Sequence, residues 1–330
     1  MGMEVKREKP YYALDYYLRQ EFGEKVYKVA LNAGMSCPNR DGTIGLGGCI
    51  FCSAGGSGDF AGDVHKSIAA QIEQGIAGTA KFRAGGYIAY FQAFTNTYAP
   101  INYLRTVFTE ALSHDKILLL SIATRPDCLS DEVIALLAEL KQQKPIWVEL
   151  GLQTIHEETA AYIRRGYRLE CFTDAVSRLR KAGISVIVHV ILGLPGETRE
   201  QMLQTIAFLN SCDIQGIKLQ LLHVLEGTDL AADYRAGAFQ VLTMEEYTSL
   251  VCDCIGHLRP DIVVHRITGD GPKDLLIAPL WSTAKRKVMN EIHHQMKVRN
   301  ITQGCMWKQP QEESRAAMEE DTDVGTIDTI

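Results

Sequence analysis

The stretch Leu31–Gly62, LNAGMSCPNRDGTIGLGGCIFCSAGGSGDFAG, is the starting point for a fold prediction. It holds Cys37, Cys49 and Cys52 in the spacing C-x11-C-x2-C, surrounded by nine glycines. Glycine at this density disfavours a helix or a central strand, so we predict a loop whose backbone wraps closely around a ligand. Thiolates at short spacing are the ligands that zinc and iron–sulfur clusters need.

The number of cysteines separates the two kinds of metal centre. A structural zinc site has four ligands, usually in two pairs, whereas this loop offers one C-x2-C pair, one outlying cysteine and no histidine. Three thiolates suit a [4Fe–4S] cluster whose fourth iron is open to another ligand. A non-catalytic module with zinc or a closed cluster is an alternative, and it requires four protein ligands.

Composition predicts an ordinary globular protein. The chain has 330 residues, 46% of them hydrophobic and 22% charged, which is enough for a large core and one or two domains. No apolar run reaches the length of a membrane span. The first ten residues, MGMEVKREKP, lack the apolar segment of a signal peptide, so a cytoplasmic location is expected. Without export, the six other cysteines are expected to be reduced thiols.

Charge is distributed unevenly along the chain. The net charge is −6, and residues 311–330 contain seven acids and one base, so the remaining 310 residues are neutral. We expect that acidic tail to be disordered. The segment before it, Ala284–Arg299, is basic. It predicts either contact with nucleic-acid phosphates or an ordinary solvated face.

Short apolar strands alternate with amphipathic helices from Lys25 to Leu222. We predict an α/β fold, a partial (β/α)6 TIM-like barrel with a C-terminal α+β extension; a doubly wound sheet is the alternative. Turn residues follow every strand, at the end where such folds bind ligands. The predicted segments are an N-terminal helix (1–24), the barrel core (25–223), the C-terminal domain (224–310) and the tail (311–330).

The motifs CPNRDGTIGLGGCIFC, YFQAFTNT, SIATRPDCL, VELGLQT, GLPGE and VHRITGDGP resemble the radical S-adenosylmethionine (radical SAM) superfamily. Within it they resemble the bacterial YtqA/YhcC group, which is related to the catalytic subunit of Elongator. The superfamily's usual spacing is C-x3-C-x2-C, and the Elongator-related families widen the first gap as this chain does. The usual Gly-Gly-Glu motif is replaced here by Phe91-Gln92-Ala93.

The resemblance implies a function as well as a fold. The expected cofactors are a [4Fe–4S] cluster and S-adenosylmethionine (SAM), with an electron donor such as flavodoxin or ferredoxin. Reductive cleavage of SAM would give a 5′-deoxyadenosyl radical that takes a hydrogen atom from the substrate. The implied substrate is tRNA, at a wobble uridine whose carboxymethylaminomethyl group becomes aminomethyl. Because the body of the chain is neutral, a small molecule or a protein is the alternative substrate.

The resemblance also implies roles for individual residues. Cys37, Cys49 and Cys52 would hold three irons. The residues expected to contact SAM are Phe51 near the adenine, Gln92 in place of the usual glutamate, Gln153 and Arg165 at the ribose and carboxylate, and Gly193 and Pro195 in the turn after the fifth strand. Arg125 is expected to bind SAM or the substrate. The alternatives are a surface position for Arg165, an ion pair of Arg125 with Asp127, and an ordinary tight turn at Gly193.

Several polar residues on the late strands are candidates for the barrel interior. Glu149, His189 and Lys218 are the candidate catalytic residues; the alternatives are a structural salt bridge for Glu149 and a hydrogen-bonded core position for the histidine. His223 is also expected to point into the cavity. His265 and Arg266, with Gly269–Gly271, are candidate substrate contacts, and a structural turn is the alternative for this stretch.

Overall fold

A computed structural model describes residues 8–56, 58, 61–79, 84–269 and 271–308. The predicted disordered tail at 311–330 lies outside the described residues, and so does Asp270 of the VHRITGDGP motif. No helix in the described part of the chain is both long and apolar enough to cross a membrane.

Nine strands alternate with helices along the described chain. The strands are β1 (Val26–Leu31), β2 (Gly86–Phe91), β3 (Ile117–Thr124), β4 (Ile146–Gln153), β5 (Ser185–Leu192), β6 (Gly216–Leu221), β7 (Val224–Leu225), β8 (Val263–Arg266) and β9 (Leu276–Ala278). The helices are α1 (Leu14–Phe22), α2 (Ile68–Thr79), α3 (Ile101–Leu112), α4 (Asp131–Leu140), α5 (Glu157–Tyr162), α6 (Leu169–Lys181), α7 (Arg199–Ser211), α8 (Asp229–Arg235), α9 (Met244–His257) and α10 (Lys285–Val298).

Seven parallel strands form one curled sheet in the order β1-β2-β3-β4-β5-β6-β8, which confirms the predicted partial barrel. The helices that cover it bury one face each, and α6 does so through Phe172, Ala175, Val176 and Leu179, the spacing of an amphipathic helix. Ser130 caps α4 by accepting a hydrogen bond from the backbone N–H of Val133.

The C-terminal extension takes part in the barrel. Its strand β8 pairs in parallel with β6, so it adds a seventh strand to the six that we predicted. The sequence pattern does not show this pairing, because β8 has only four residues and is preceded by α8 and α9. The short strands β7 and β9 form a separate antiparallel pair.

The N-terminal segment closes the gap between the two edge strands β1 and β8. The backbone oxygen of Tyr12 accepts a hydrogen bond from the N–H of Val264 at 2.7 Å, and α1 then packs against both edges. Leu18 of α1 belongs to a small apolar cluster in the amino-terminal halves of the strands, with Val26, Ile88, Leu119, Trp147 and Ile187. This cluster closes one end of the barrel, so a ligand is expected at the other end.

Candidate active site

The cysteine loop joins β1 to α2 and folds through hydrogen bonds within itself. The backbone oxygen of Cys37 accepts from the N–H groups of Arg40 and Asp41, and the N–H of Cys52 donates to the oxygen of Cys49 at 2.9 Å. Gly48, just before Cys49, has a left-handed φ of 87°. A Cβ there would lie 2.9 Å from the Arg40 side chain, so glycine is required at this turn.

The three thiols influence one another electrostatically. Burial raises the pKa of Cys49 to about 11; the neighbouring Cys52 and, more weakly, Cys37 add to the rise, while the guanidinium of Arg125 opposes it. No three His, Cys, Asp or Glu side chains in the described residues are arranged to hold a single metal ion. A four-iron cluster does not need such an arrangement, because each cysteine binds a different iron. The donor set therefore fits a cluster better than zinc.

Two loop residues support the cysteines and were missed by the sequence reasoning. The Nδ2 of Asn39 donates to the backbone oxygen of Arg164 at 2.6 Å and to the Sγ of Cys49 at 3.6 Å. A guanidinium nitrogen of Arg40 donates to the backbone oxygen of Cys52 at 2.9 Å. Their place inside the CPNR motif was the available signal, since groups that hydrogen-bond metal ligands commonly lie nearby.

A cavity of about 530 Å³ lies inside the barrel beside this loop. Phe51, Cys52 and Ser53 of the loop line it, together with Gln92 and Gln153 at the carboxyl ends of their strands. The Oγ of Ser53 is buried without a hydrogen-bond partner. Deeper in the barrel the lining is basic and aromatic: Lys28, Tyr90, His189, Lys218, His265 and Arg266.

A polar cluster fills the middle of the barrel, with one residue from each of the strands β1 to β6. Glu149 of β4 is fully buried. Its carboxylate accepts from Lys28 at 3.1 Å, from Ser121 at 2.7 Å, from His189 at 2.6 Å and from Lys218. Tyr90 completes the cluster, because its hydroxyl lies 3.3 Å from the Lys218 ammonium. The three candidate catalytic residues thus meet, and Lys28, Tyr90 and Ser121 from β1, β2 and β3 join them, although none of these three was a predicted site residue.

Burial and charge together set the protonation of this cluster. Burial alone would raise the pKa of Glu149, but Lys218, Lys28 and His189 hold it well below its usual range. Burial lowers the pKa of Lys218 to about 7 despite Glu149, and it lowers the pKa of His189 to about 4. His189 is therefore neutral at pH 7. Since its Nε2 faces a carboxylate, which only accepts, that nitrogen carries the proton.

The predicted SAM contacts fall into two groups. Phe51, Gln92 and Gln153 line the cavity, and Gln153 has a left-handed φ of 65° where the register of β4 and β5 shifts. Such strain in a residue other than glycine is common at functional sites. Gly193 and Pro195 follow β5, and neither belongs to the described cavity lining, although Ile191 of the same strand does.

Arg165 and Arg125 are occupied by protein groups. Arg165 is 1% exposed, which rules out the surface position we gave as the alternative. Its guanidinium donates to the backbone oxygens of Tyr167, Leu152 and Thr154 and to Glu157. Arg125 forms a two-bond ion pair with Asp127, at 2.9 and 2.7 Å, and donates to the backbone oxygen of Arg165. In this structure both arginines brace the segment after β4, and their roles toward SAM stay predictions.

The candidate substrate contacts gather at the cavity wall. His223, His265 and Arg266 all line it, and a Cβ on Gly269 would lie 2.5 Å from the His223 ring. The Nε2 of His223 also lies 3.2 Å from the Oγ of Ser282, at the start of the basic segment. The VHRITGDGP motif is thus placed at the cavity, as the sequence suggested.

Known proteins match the chain closely. Residues 37–209 match the model of the radical SAM superfamily and residues 214–298 match the radical SAM C-terminal domain. The chain is 48% identical over 309 residues to the uncharacterized protein YtqA of Bacillus subtilis, covering 93% of this chain and 96% of YtqA. It is 27% identical over 161 residues to the tRNA uridine(34) acetyltransferase of Methanocaldococcus jannaschii, covering 48% of this chain and 29% of that protein.

A solved structure has the same fold. The archaeal Elp3 of Methanocaldococcus infernus superposes with a TM-score of 0.65 at 18% identity, covering 84% of this chain and 64% of that one.

The curled parallel half-barrel with a three-cysteine loop after its first strand defines a class of enzymes that cleave SAM with an iron–sulfur cluster. The chain belongs to the radical SAM superfamily and, within it, to the YtqA/YhcC group. Its cofactors are accordingly a [4Fe–4S] cluster and SAM.

Proposed function

We propose that this radical SAM enzyme modifies the wobble uridine of tRNA, converting its carboxymethylaminomethyl side chain to aminomethyl. The observation that carries the proposal is the basic start of α10 beside the cavity wall. Lys285, Arg286 and Lys287 are exposed there, and the preceding Ser282 is within hydrogen-bonding distance of the cavity residue His223. A nucleic acid held by its phosphates on this helix would have the cavity next to it. The similarity to a tRNA uridine(34) acetyltransferase supports the same substrate.

The cofactors would lie at the carboxyl ends of the strands. We assign Cys37, Cys49 and Cys52 to the cluster, which when reduced supplies the electron that cleaves SAM. Phe51, Gln92 and Gln153 would orient SAM, because they line the cavity beside Cys52. The apolar cluster in the amino-terminal halves of the strands closes the barrel on the side away from the cofactors.

The proposed conversion balances as follows. One SAM and one water are consumed for each carboxymethyl group, giving 5′-deoxyadenosine, methionine, glyoxylate, a proton and the free aminomethyl group. A hydrogen atom leaves the substrate carbon next to the carboxylate, that carbon then gives up one electron, and water replaces its bond to nitrogen. One electron enters SAM and one electron leaves the substrate, so the conversion consumes no electron overall.

The test is a nucleoside analysis of tRNA. The full chain is reconstituted anaerobically with its cluster and incubated with SAM, dithionite and tRNA that contains 5-carboxymethylaminomethyluridine. Mass spectrometry should show that nucleoside replaced by 5-aminomethyluridine, with glyoxylate formed in equal amount. An unchanged nucleoside profile, while 5′-deoxyadenosine accumulates, would refute the tRNA substrate.

A charge-matched pair of variants tests the docking surface. The triple variant Lys285→Gln, Arg286→Gln, Lys287→Gln should bind tRNA more weakly and reduce the salt dependence of log K by about 2–3, since each phosphate contact contributes roughly 0.7–0.9. The control replaces three exposed lysines elsewhere, Lys66, Lys116 and Lys181, and should leave the slope unchanged. Equal slopes for the two variants would mean that tRNA does not use α10.

A further inference from the structure

Two lysines in the barrel share one carboxylate. The ammonium of Lys28 lies 3.1 Å from one oxygen of Glu149, and Lys218 contacts the other oxygen. Both lysines line the cavity, whereas Glu149 lies behind them and the described lining contains no aspartate or glutamate. When both lysines are charged, they therefore carry one positive charge more than Glu149 balances. Uncompensated charge in a buried site is costly, so the site favours an anion.

The other polar groups around the lysines do not remove this excess. His189 is neutral and uses Nε2 on Glu149, and the ring of Tyr90 lies 4.7 Å from the Lys28 ammonium and 4.5 Å from that of Lys218. His265 is an independent sign of a missing ligand. Its ring lines the cavity, and its Nδ1 is buried without a hydrogen-bond partner.

We propose that Lys28, Lys218 and His265 form a subsite for the carboxylate of the substrate's side chain. The inference rests on the proposed function and goes beyond it, because it names the group by which the enzyme recognises its uridine. Glu149 supplies one negative charge for the two lysines, and the carboxylate of the substrate would supply the second. One of its oxygens accepts from Lys218, and the other accepts from Nδ1 of His265 in the tautomer that carries the proton there.

The position of the subsite gives it a role in specificity. It lies in the middle of the strands, while Phe51, Cys52 and Gln153 mark the cofactor end of the same cavity. A carboxylate held on the lysines would fix the adjacent carbon between them and the cofactor end. Burial lowers the pKa of Lys218 to about 7 in the empty cavity, and an anion beside it would restore the charge. Binding at pH 7.5 should then take up a proton.

Equilibrium dialysis without turnover tests the subsite separately from the reaction. The reconstituted full chain is dialysed with SAM against 5-carboxymethylaminomethyluridine or 5-aminomethyluridine, the same nucleoside without the carboxylate. The carboxylated nucleoside should bind about 10- to 100-fold more tightly, as expected for charged hydrogen bonds, and calorimetry in two buffers should show proton uptake. This result stands even if tRNA is not converted, so the two proposals fail separately.

Two variants test which side chains cause the preference for the carboxylated nucleoside. Lys218→Met should abolish the preference for the carboxylated nucleoside and the proton uptake. His265→Phe removes the unpartnered nitrogen without breaking the pair with Glu149 and should reduce the preference by about tenfold, whereas the exposed control His294→Phe should not change it. Equal binding of the two nucleosides by the wild type would overturn the proposal. So would weaker binding of labelled SAM to Lys218→Met with an unchanged nucleoside preference, because the lysines would then hold the carboxylate of SAM.

Discussion

The cysteine loop and the polar cluster of the barrel are built in opposite ways. The three cysteines come from one continuous stretch, and hydrogen bonds within that stretch shape the loop. The polar cluster takes one residue from each of six strands, and Lys28 and Glu149 are 121 positions apart. The loop is therefore a local structure that serves the cofactor. The cluster exists only when the whole sheet has formed, so it contributes to the stability of the fold as well as to the chemistry.

The largest expected effect is a loss of activity, without a loss of stability, when a cysteine of the loop is replaced. Cys49→Ala should abolish the iron–sulfur absorption and reduce 5′-deoxyadenosine formation at least ~100-fold, because a cluster ligand is lost. The free energy of unfolding, measured by urea on cluster-free protein, should change by less than about 1 kcal/mol, as for most changes outside a packed core.

The control for this variant is Cys305→Ala, at an exposed cysteine, which should retain cluster and activity. A Cys49→Ala protein that still binds four irons and cleaves SAM would remove Cys49 from the ligand set.

The second effect falls on stability and belongs to the cluster. Glu149→Gln should lower the free energy of unfolding by about 3–5 kcal/mol, because it leaves the buried Lys218 and the half-buried Lys28 without their counter-ion. Urea unfolding of the variant measures this. The matched control is Glu139→Gln, which breaks the exposed pair with Arg105 and should cost at most about 1 kcal/mol. Equal losses of stability in the two variants would show that the buried cluster contributes no more to stability than an exposed ion pair.

The loop is built from residues close in sequence, and the cluster is built from residues that meet only in the folded sheet. This difference explains which features could be predicted from the sequence. The three cysteines and the strands β1 to β6 follow from local patterns of residues, and the structure contains the six strands as predicted. Lys28 lies on the same side of β1 as Val26 and Ala30, and all three line the cavity. The family resemblance supplied the cofactors, which no pattern of hydrophobicity provides.

Distant pairings were not predictable in this way. Tyr90 and Ser121 are the first residues of the motifs YFQAFTNT and SIATRPDCL, and neither was a predicted site residue. They join the cluster because parallel pairing sets the register of their strands beside β4. The sequence does not reveal that Arg165 is buried, because three of its protein acceptors are backbone oxygens. The short strand β8 pairs with β6, from which β7, α8 and α9 separate it along the chain.

A smaller effect is a pH dependence of the free energy of unfolding, which we expect from the polar cluster of the barrel. The pKa of His189 is lowered to about 4, below its ordinary value near 6.5, so the unfolded chain binds more protons between these values. Its contribution to stability is complete above pH 6.5 and is lost as the pH falls toward 4, by up to about 3 kcal/mol. Urea unfolding across this range should show a weaker pH dependence in His189→Gln than in the wild type. A parallel dependence in both proteins would mean that folding does not change the pKa of His189.

The smallest effect concerns the potential of the iron–sulfur cluster. The Nδ2 of Asn39 donates to Cys49, and a hydrogen bond to a cluster sulfur favours the reduced state, which carries more negative charge. In Asn39→Ser that bond is lost, and we expect the potential to fall by about 20–60 mV, the equivalent of roughly 0.5–1.4 kcal/mol for one electron. Redox titration followed by electron paramagnetic resonance measures the shift, with the exposed loop variant Thr43→Ser as the control. An unchanged reduction potential would show that Asn39 acts only on the backbone of Arg164. In that case the cysteine loop, unlike the barrel cluster, would tolerate the loss of a polar partner without a change in its chemistry.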